Sequence, residues 1–221
     1  MAEKYGTIPK KFTADWWGYV WEYYKWHILI TLFLIIFVAS YIHSCATAVK
    51  YDVSVVHTDS NVIGEDVSLA LREDLQDKIE DIDANGERNI EFMSMTIVGT
   101  PGFEEQDMAM QTKFFLSFTH ETTYLYLVSE EQCLNLIDNS SIGDYFLPVD
   151  EWGFETEKNL SPEDGGNYGI ALDDNAYLRE KGCITEGLRL MIRPYYADAD
   201  KNGLGKGAFE NAKIMAQEIL K

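Results

Sequence analysis

The chain has 221 residues, 46% of them hydrophobic, and 37 acidic against 18 basic side chains give a formal net charge of −19. A surface this acidic keeps a protein dispersed and repels phosphate backbones, so nucleic-acid binding is disfavoured, whereas cationic ligands, metal ions or basic partners suit it. With three Cys, no CxxC pair and no Cys/His cluster, nothing in the composition points to zinc or dithiol chemistry.

The first predicted element is a membrane anchor. Between Lys25 and Lys50 no Asp, Glu, Lys or Arg occurs for 24 residues, and Ile28 to Val38 is almost pure hydrocarbon. A bilayer core about 30 Å thick needs about 20 helical residues, which Trp26 to Cys45 supplies. Its eleven large apolar side chains favour insertion by roughly 0.3–0.6 kcal/mol each, about 3–6 kcal/mol together, with no charge opposing them. Thr13 is placed to cap a helix that starts near Ala14 and runs on into the apolar stretch. The flank between them carries Trp16, Trp17, Trp21, Tyr24, Lys25 and Trp26, rings that prefer headgroup depth because one end is dry and the other wet. Lys4, Lys10, Lys11 and Lys25 precede the run and only Lys50 follows closely, so the N-terminus is expected in the cytoplasm. Two processing signals compete with a retained anchor: Ile42-His43-Ser44-Cys45 loosely matches a lipobox, and Ala46-Thr47-Ala48 a small-residue cleavage site. The long aromatic leader argues against both. The expected division is a cytoplasmic juxtamembrane segment (1–25), a transmembrane helix (26–45) and one domain outside the membrane (46–221).

The first 45 residues take four of the 18 basic and three of the 37 acidic side chains, leaving 14 against 34 in the exterior domain. Alternation predicts a strand over Tyr51–His57, broken by Thr58-Asp59-Ser60-Asn61. Val67, Leu71, Leu75 and Ile79 recur every fourth residue, the mark of one helix face. Asp83-Ala84-Asn85-Gly86 reads as a turn, Ile90–Val98 as a strand and Phe103–Phe118 as a helix, with Gly99-Thr100-Pro101-Gly102 between them. Thr123–Val128 is the clearest strand, and Ser129 with Gln132 forms a capping box for a short helix to about Ile137. Residues 139–166 read as irregular. Tyr168–Leu172 and Leu188–Arg193 are the last strands, and Ala208–Leu220 the closing helix. Strands alternating with helices imply an α/β domain with a largely parallel or mixed sheet.

Two stretches resemble known groups. Thr112 to Trp152, with Thr123-Tyr124-Leu125-Tyr126-Leu127-Val128-Ser129 and then Tyr145-Phe146-Leu147-Pro148-Val149-Asp150, resembles one segment of extracytoplasmic solute-binding proteins. Tyr23-Tyr24-Lys25-Trp26-His27 before an apolar run is similar to uncharacterised single-pass membrane proteins of Gram-positive anaerobes. The first resemblance implies ligand capture outside the membrane, in a chain with room for about one of that family's two lobes. Neither transfers a functional residue.

Candidate chemistry is sparse. Asp81-x-Asp83-x-Asn85-Gly86 begins like a calcium loop, but Phe92 stands where a bidentate Glu belongs. Asp198-x-Asp200-x-Asn202-Gly203 fails in the same way at Phe209. Calcium therefore remains a weak alternative to no cofactor. Gly203-x-Gly205-x-x-Ala208 imitates a dinucleotide fingerprint with no second strand after it, and reads as a flexible helix entry. There is no Gly-x-Ser-x-Gly elbow and no His-Glu-x-x-His. In open α/β sheets ligands sit beyond the carboxyl ends of the strands, which nominates His57, Thr58, Asp59, Ser60, Gly99 and Thr100 as a binding rim. The expected function is a membrane-anchored, non-catalytic binding module for a small molecule or an envelope protein. An assembly partner of other envelope proteins, and less so an unrecognised hydrolase, are the alternatives. Cys133 and Cys183 are left open as a disulfide pair.

Overall fold

The computed structural model describes residues 9–47, 49–99, 101–138, 142–154 and 168–221. The chain divides after Val49 into two compact units.

The first unit is one helix, α1 (Ala14–Ala46), of 33 residues and so about 50 Å long. The Thr13 hydroxyl accepts from the Trp16 amide at 3.3 Å, and Asp15 lies against the positive end of the helix dipole. The helix runs unbroken through Trp16 to Trp26 into the apolar stretch, so residue 25 marks no break in the fold. It is long and apolar enough to cross a membrane, and its apolar window buries nothing within the protein. Trp17, Trp21, Tyr24 and Trp26 are all exposed, as are Ile28 through Val38, apart from Thr31, among the large side chains.

The second unit is a mixed α/β domain. Its elements are β1 (Val53–Asp59), α2 (Glu65–Leu75), β2 (Ile90–Thr96), α3 (Glu104–Ser117), β3 (Thr123–Ser129), α4 (Glu130–Asp138), α5 (Ile142–Tyr145), β4 (Ile170–Ala171), α6 (Ala176–Glu180), β5 (Leu188–Ile192) and α7 (Gly205–Ile219). The sheet order is β2-β1-β3-β5-β4. β1 runs parallel to β2 in register Val53↔Ile90 to Asp59↔Thr96, and parallel to β3 with Val55 opposite Leu125. β5 is antiparallel to both β3 and β4, so the sheet is mixed, the second of the two forms expected.

Strand alternation divides the core into two layers. Val53, Val55, Leu125, Leu127, Leu188, Leu190 and Ile192 face α2 and α7, whose Leu71, Leu75, Ala212, Met215 and Ile219 cover them. Val56, Met95, Tyr126, Val128 and Met191 face the other way, against Phe114 of α3 and Leu136 of α4. α2 and α3 thus lie on opposite faces of the sheet, as in doubly wound folds. Cys183 belongs to the first layer and Cys133 to the second, so the sheet separates the two thiols and they form no disulfide.

Several boundaries differ from expectation for identifiable reasons. α2 stops at Leu75, and Ile79 reaches the core from the turn beyond it. The irregular stretch contains α5 and a 3-10 turn at Val149–Glu151, while residues 139–141 and 155–167 lie outside those described. Only Ile170 and Ala171 of the Tyr168–Leu172 strand pair with β5. α7 begins three residues early because Asp200 accepts from the Gly205 amide at 3.0 Å and the Lys206 amide at 3.3 Å, capping it from outside. This entry is closely packed. A Cβ on Gly205 would stand 2.9 Å from the Tyr124 hydroxyl, and one on Gly207 would stand 2.7 Å from Ile82 Cγ2. The glycines let α7 approach closely, which accounts for the fingerprint-like spacing without a nucleotide.

Candidate functional site

β1 lies between β2 and β3, and the chain leaves it in one direction through α2 and returns on the other side after α3. Its carboxyl end is therefore the switch point of the parallel half, the usual ligand crevice of such sheets. The expected rim divides there. His57, Thr58 and Asp59 are inside, at 3%, 0% and 7% exposure, while Ser60 and Gly99 reach the surface. Thr100 lies outside the described residues.

Asp59 closes its own turn. Its carboxylate accepts from the Ser60 amide at 2.7 Å and from Asn61 Nδ2 at 3.1 Å. The Thr58 hydroxyl is buried with no hydrogen-bond partner among the described residues, a state that normally calls for water or a ligand. Beyond β2, the Val98 and Gly99 amides donate to the Asp107 carboxylate at 2.8 and 2.9 Å, fixing the loop on the first turns of α3. An open depression of about 420 Å³ sits there, lined by Gly99, Pro101, Glu104, Asp107, Met108 and Gln111. Glu131 of α4 comes within 3.6 Å of where a Gly99 Cβ would stand. The surface part of the rim is thus acidic, and Glu104, Asp107 and Glu131 are the residues that sequence reasoning missed. Their only sequence signal is that each lies in the first turn of a helix following a strand.

His57 does not act at this surface. Its Nδ1 lies 3.3 Å from Ser94 Oγ on β2. Burial depresses its pKa from 6.5 to about 4, against a smaller opposing pull from Asp59. The imidazole is therefore neutral at pH 7. Between pH 6.5 and 4 the unfolded chain binds a proton that the folded chain refuses, so stability present above that window is lost as pH falls through it. The loss is about 3 kcal/mol at 1.4 kcal/mol per pKa unit. Urea titrations at pH 7 and pH 4.5 should show it, and His57→Leu should remove most of this slope; an unchanged slope would refute the assignment. His120 is exposed and precedes β3, at the amino end of the strand whose carboxyl half pairs with His57. The two histidines do not converge.

A second cluster forms at the opposite, amino end of β1. Asp52, Asp81 and Asp83 bring carboxylate oxygens within 4.8 Å of one another. Asp81 accepts from the Gly86 amide at 2.8 Å and the Asn85 amide at 3.3 Å, and these bonds hold its carboxyl below the usual range. Asp83 accepts from the Asn85 amide at 3.2 Å and meets Lys50 Nζ at 3.4 Å. Asn85 Oδ1 is taken by the Glu87 amide. The missing twelfth ligand has a structural reason: Phe92 is on β2 opposite Val55 and packs into the core. Asp52 joins the loop instead, a convergence invisible in the sequence because 28 residues separate Asp52 from Asp81. These oxygens suit a hard cation, which would displace Lys50. The other near-calcium loop does different work, since Asp200 caps α7 and accepts from the Tyr195 hydroxyl at 3.1 Å.

These features define an α/β domain preceded in the chain by a helix long and apolar enough to cross a membrane, with a doubly wound parallel half, an antiparallel flank and an acidic rim at the strand ends. Comparison with family models, with curated proteins and with solved structures finds no match to the chain.

Proposed function

We propose that the protein is a non-catalytic binding module held on the outer face of a cell membrane. α1 spans the bilayer with its N-terminus in the cytoplasm, and the aromatic side chains from Trp16 to Trp26 sit at headgroup depth. The α/β domain stands outside and captures a ligand or a partner protein. The observation that carries this reading is the acidic rim at the switch point, where Glu104 and Asp107 line an open depression and Glu131 lies close to Gly99 at its edge. A cationic small molecule matches that charge. The neutral, dry His57, remote from His120, supports binding rather than acid–base chemistry.

Thermal-shift measurements on the full-length chain in detergent micelles, against metals, sugars, amino acids, polyamines and peptides, test the ligand. Stabilisation by a cationic compound, reduced by Glu104→Gln, is expected; no response from any class removes the small-molecule version. Protease added to intact cells should degrade the domain, and full protection would overturn the orientation.

A second reading, assembly with other envelope proteins, is favoured by the outward side of α3. Met108, Phe115 and Leu116 there are 67%, 45% and 56% exposed, more apolar surface than a helix facing only water normally shows.

A further inference from the structure

The sheet ends at β2, and among the described residues nothing pairs with its outer edge. Natural proteins guard such edges with Lys, Pro, a bulge or an inward charge, because the open row of amides and carbonyls recruits another strand. β2 has little of this. It keeps seven consecutive pairs with β1 and no bulge. Its one charge, Glu91, lies near the amino end and accepts from Ser54 Oγ at 2.9 Å. Phe92 to Thr96 carry no charge and no Pro, and Phe92, Met93 and Ser94 remain half-exposed where every residue of β1 is buried.

Charge decides what fits this edge. Both helices packed against β2 are acidic. α2 carries Glu65, Asp66, Glu73 and Asp74 against Arg72, and α3 carries Glu104, Glu105 and Asp107 against Lys113. A second copy of the chain would bring the same negative charges to the same place. An extended segment with alternating apolar and basic side chains would instead pair its backbone with β2, lay its apolar side chains beside Phe92 on the α2 face, and turn its basic side chains toward the carboxylates of α3 on the other. We infer that β2 is a docking strand for an extended basic segment of another protein, which adds to the sheet as a sixth strand. The inference rests on the assembly reading above and assigns it a surface.

The test uses the full-length chain in nanodiscs of zwitterionic lipid, with a capped (Val-Lys)4 peptide as the probe. Hydrogen–deuterium exchange of residues 90–96 should slow about tenfold at a peptide concentration ten times its Kd. A capped (Val-Glu)4 peptide, and a (Val-Lys)4 peptide N-methylated on alternate residues, should give no slowing. The double variant Glu73→Lys/Glu105→Lys should weaken the (Val-Lys)4 effect several-fold while leaving the circular-dichroism melt intact. Equal protection by the Val-Glu or N-methylated peptides, or protection elsewhere than β2, would overturn the inference. So would concentration-dependent protection of β2 without peptide, which would identify a second copy as the occupant. Crosslinking on intact cells separates this from the parent reading. Recovery of other envelope proteins with β2 unprotected removes only the docking strand, whereas recovery of this chain alone removes the assembly reading itself.

Discussion

Trp152→Ala should destabilise the folded domain by about 3–5 kcal/mol, the range for deleting a large aromatic side chain from a core. Trp152 is fully buried, and its Nε1 donates to the Leu147 carbonyl at 3.0 Å. The Leu147 amide in turn donates to the Ile192 carbonyl at 2.7 Å. One indole therefore ties the 3-10 turn at Val149–Glu151 to the end of β5 and fills the core layer beside Phe154. At roughly 2–4 °C per kcal/mol for a domain of this size, Tm should fall by about 6–20 °C. Trp152→Phe keeps most of the apolar contact and loses the N–H bond, so it should cost less than half as much. If Trp152→Ala lowers stability by under about 1 kcal/mol in urea melts, the indole is not a core element.

Asp52→Ala should be nearly as damaging. Asp52 is 2% exposed, and its two oxygens accept from the Ile82 amide at 2.8 Å and the Asn89 amide at 2.7 Å. Hydrogen bonds to a charged group contribute about 1.5–3 kcal/mol each, so losing both predicts about 3–6 kcal/mol. Asn211 of α7 grips the same segment, accepting from the Glu80 amide and donating to the Glu80 carbonyl, both at 2.8 Å. Asp52→Ala and Asn211→Ala should therefore couple in a double-mutant cycle. Asp83→Ala supplies the contrast. Its ion pair is with a Lys50 that is 72% exposed, which solvent screening limits to about 1 kcal/mol or less, and its side chain, 9% exposed, keeps one amide bond, from Asn85 at 3.2 Å, so its loss should cost about half that of Asp52. Equal costs at Asp52 and Asp83 would show that the carboxylates act as one unit rather than as a buried clamp beside a surface pair.

Much of the architecture was legible because it rests on periodicity. The charge-free run and its Thr13 cap locate α1, and the alternation of β1 and β3 places Val53 and Leu125 inward. The four-residue spacing of Leu71 and Leu75 defines the buried face of α2. Strand direction carries no such mark. Leu188, Leu190 and Ile192 alternate identically whichever way β5 runs, and only the pairing of Leu125 with Ile192 through Ser129 with Leu188 shows it antiparallel to β3. Arg189 on the same strand and Arg193 just past its end were also opaque, since both are buried. Arg193 donates to the His120 and Thr123 carbonyls and sits over the Tyr124 ring, while Arg189 reaches Glu130 at 3.7 Å.

The candidate site was legible only in outline. The rule of strand carboxyl ends found the right end of β1 but not which side chains reach water. Alternation points His57 inward, and the turn chemistry of Ser60 and Asn61 consumes Asp59. Glu131 and Asp52 join their clusters through tertiary contacts between distant segments, for which a single sequence carries no periodic signal.

The ladder partners carry a kinetic consequence. Val53 waits for Ile90, Val55 for Leu125 and Leu125 for Ile192; none of these pairs is a local hairpin. Each rung closes a long loop before any contact repays the lost chain entropy, so folding should be slow for a domain of this length. A ribosome must release β5 before β3 finds its second neighbour and α7 before the layer over β1 and β3 is covered, and until then their apolar stretches stay open to chaperones and to aggregation.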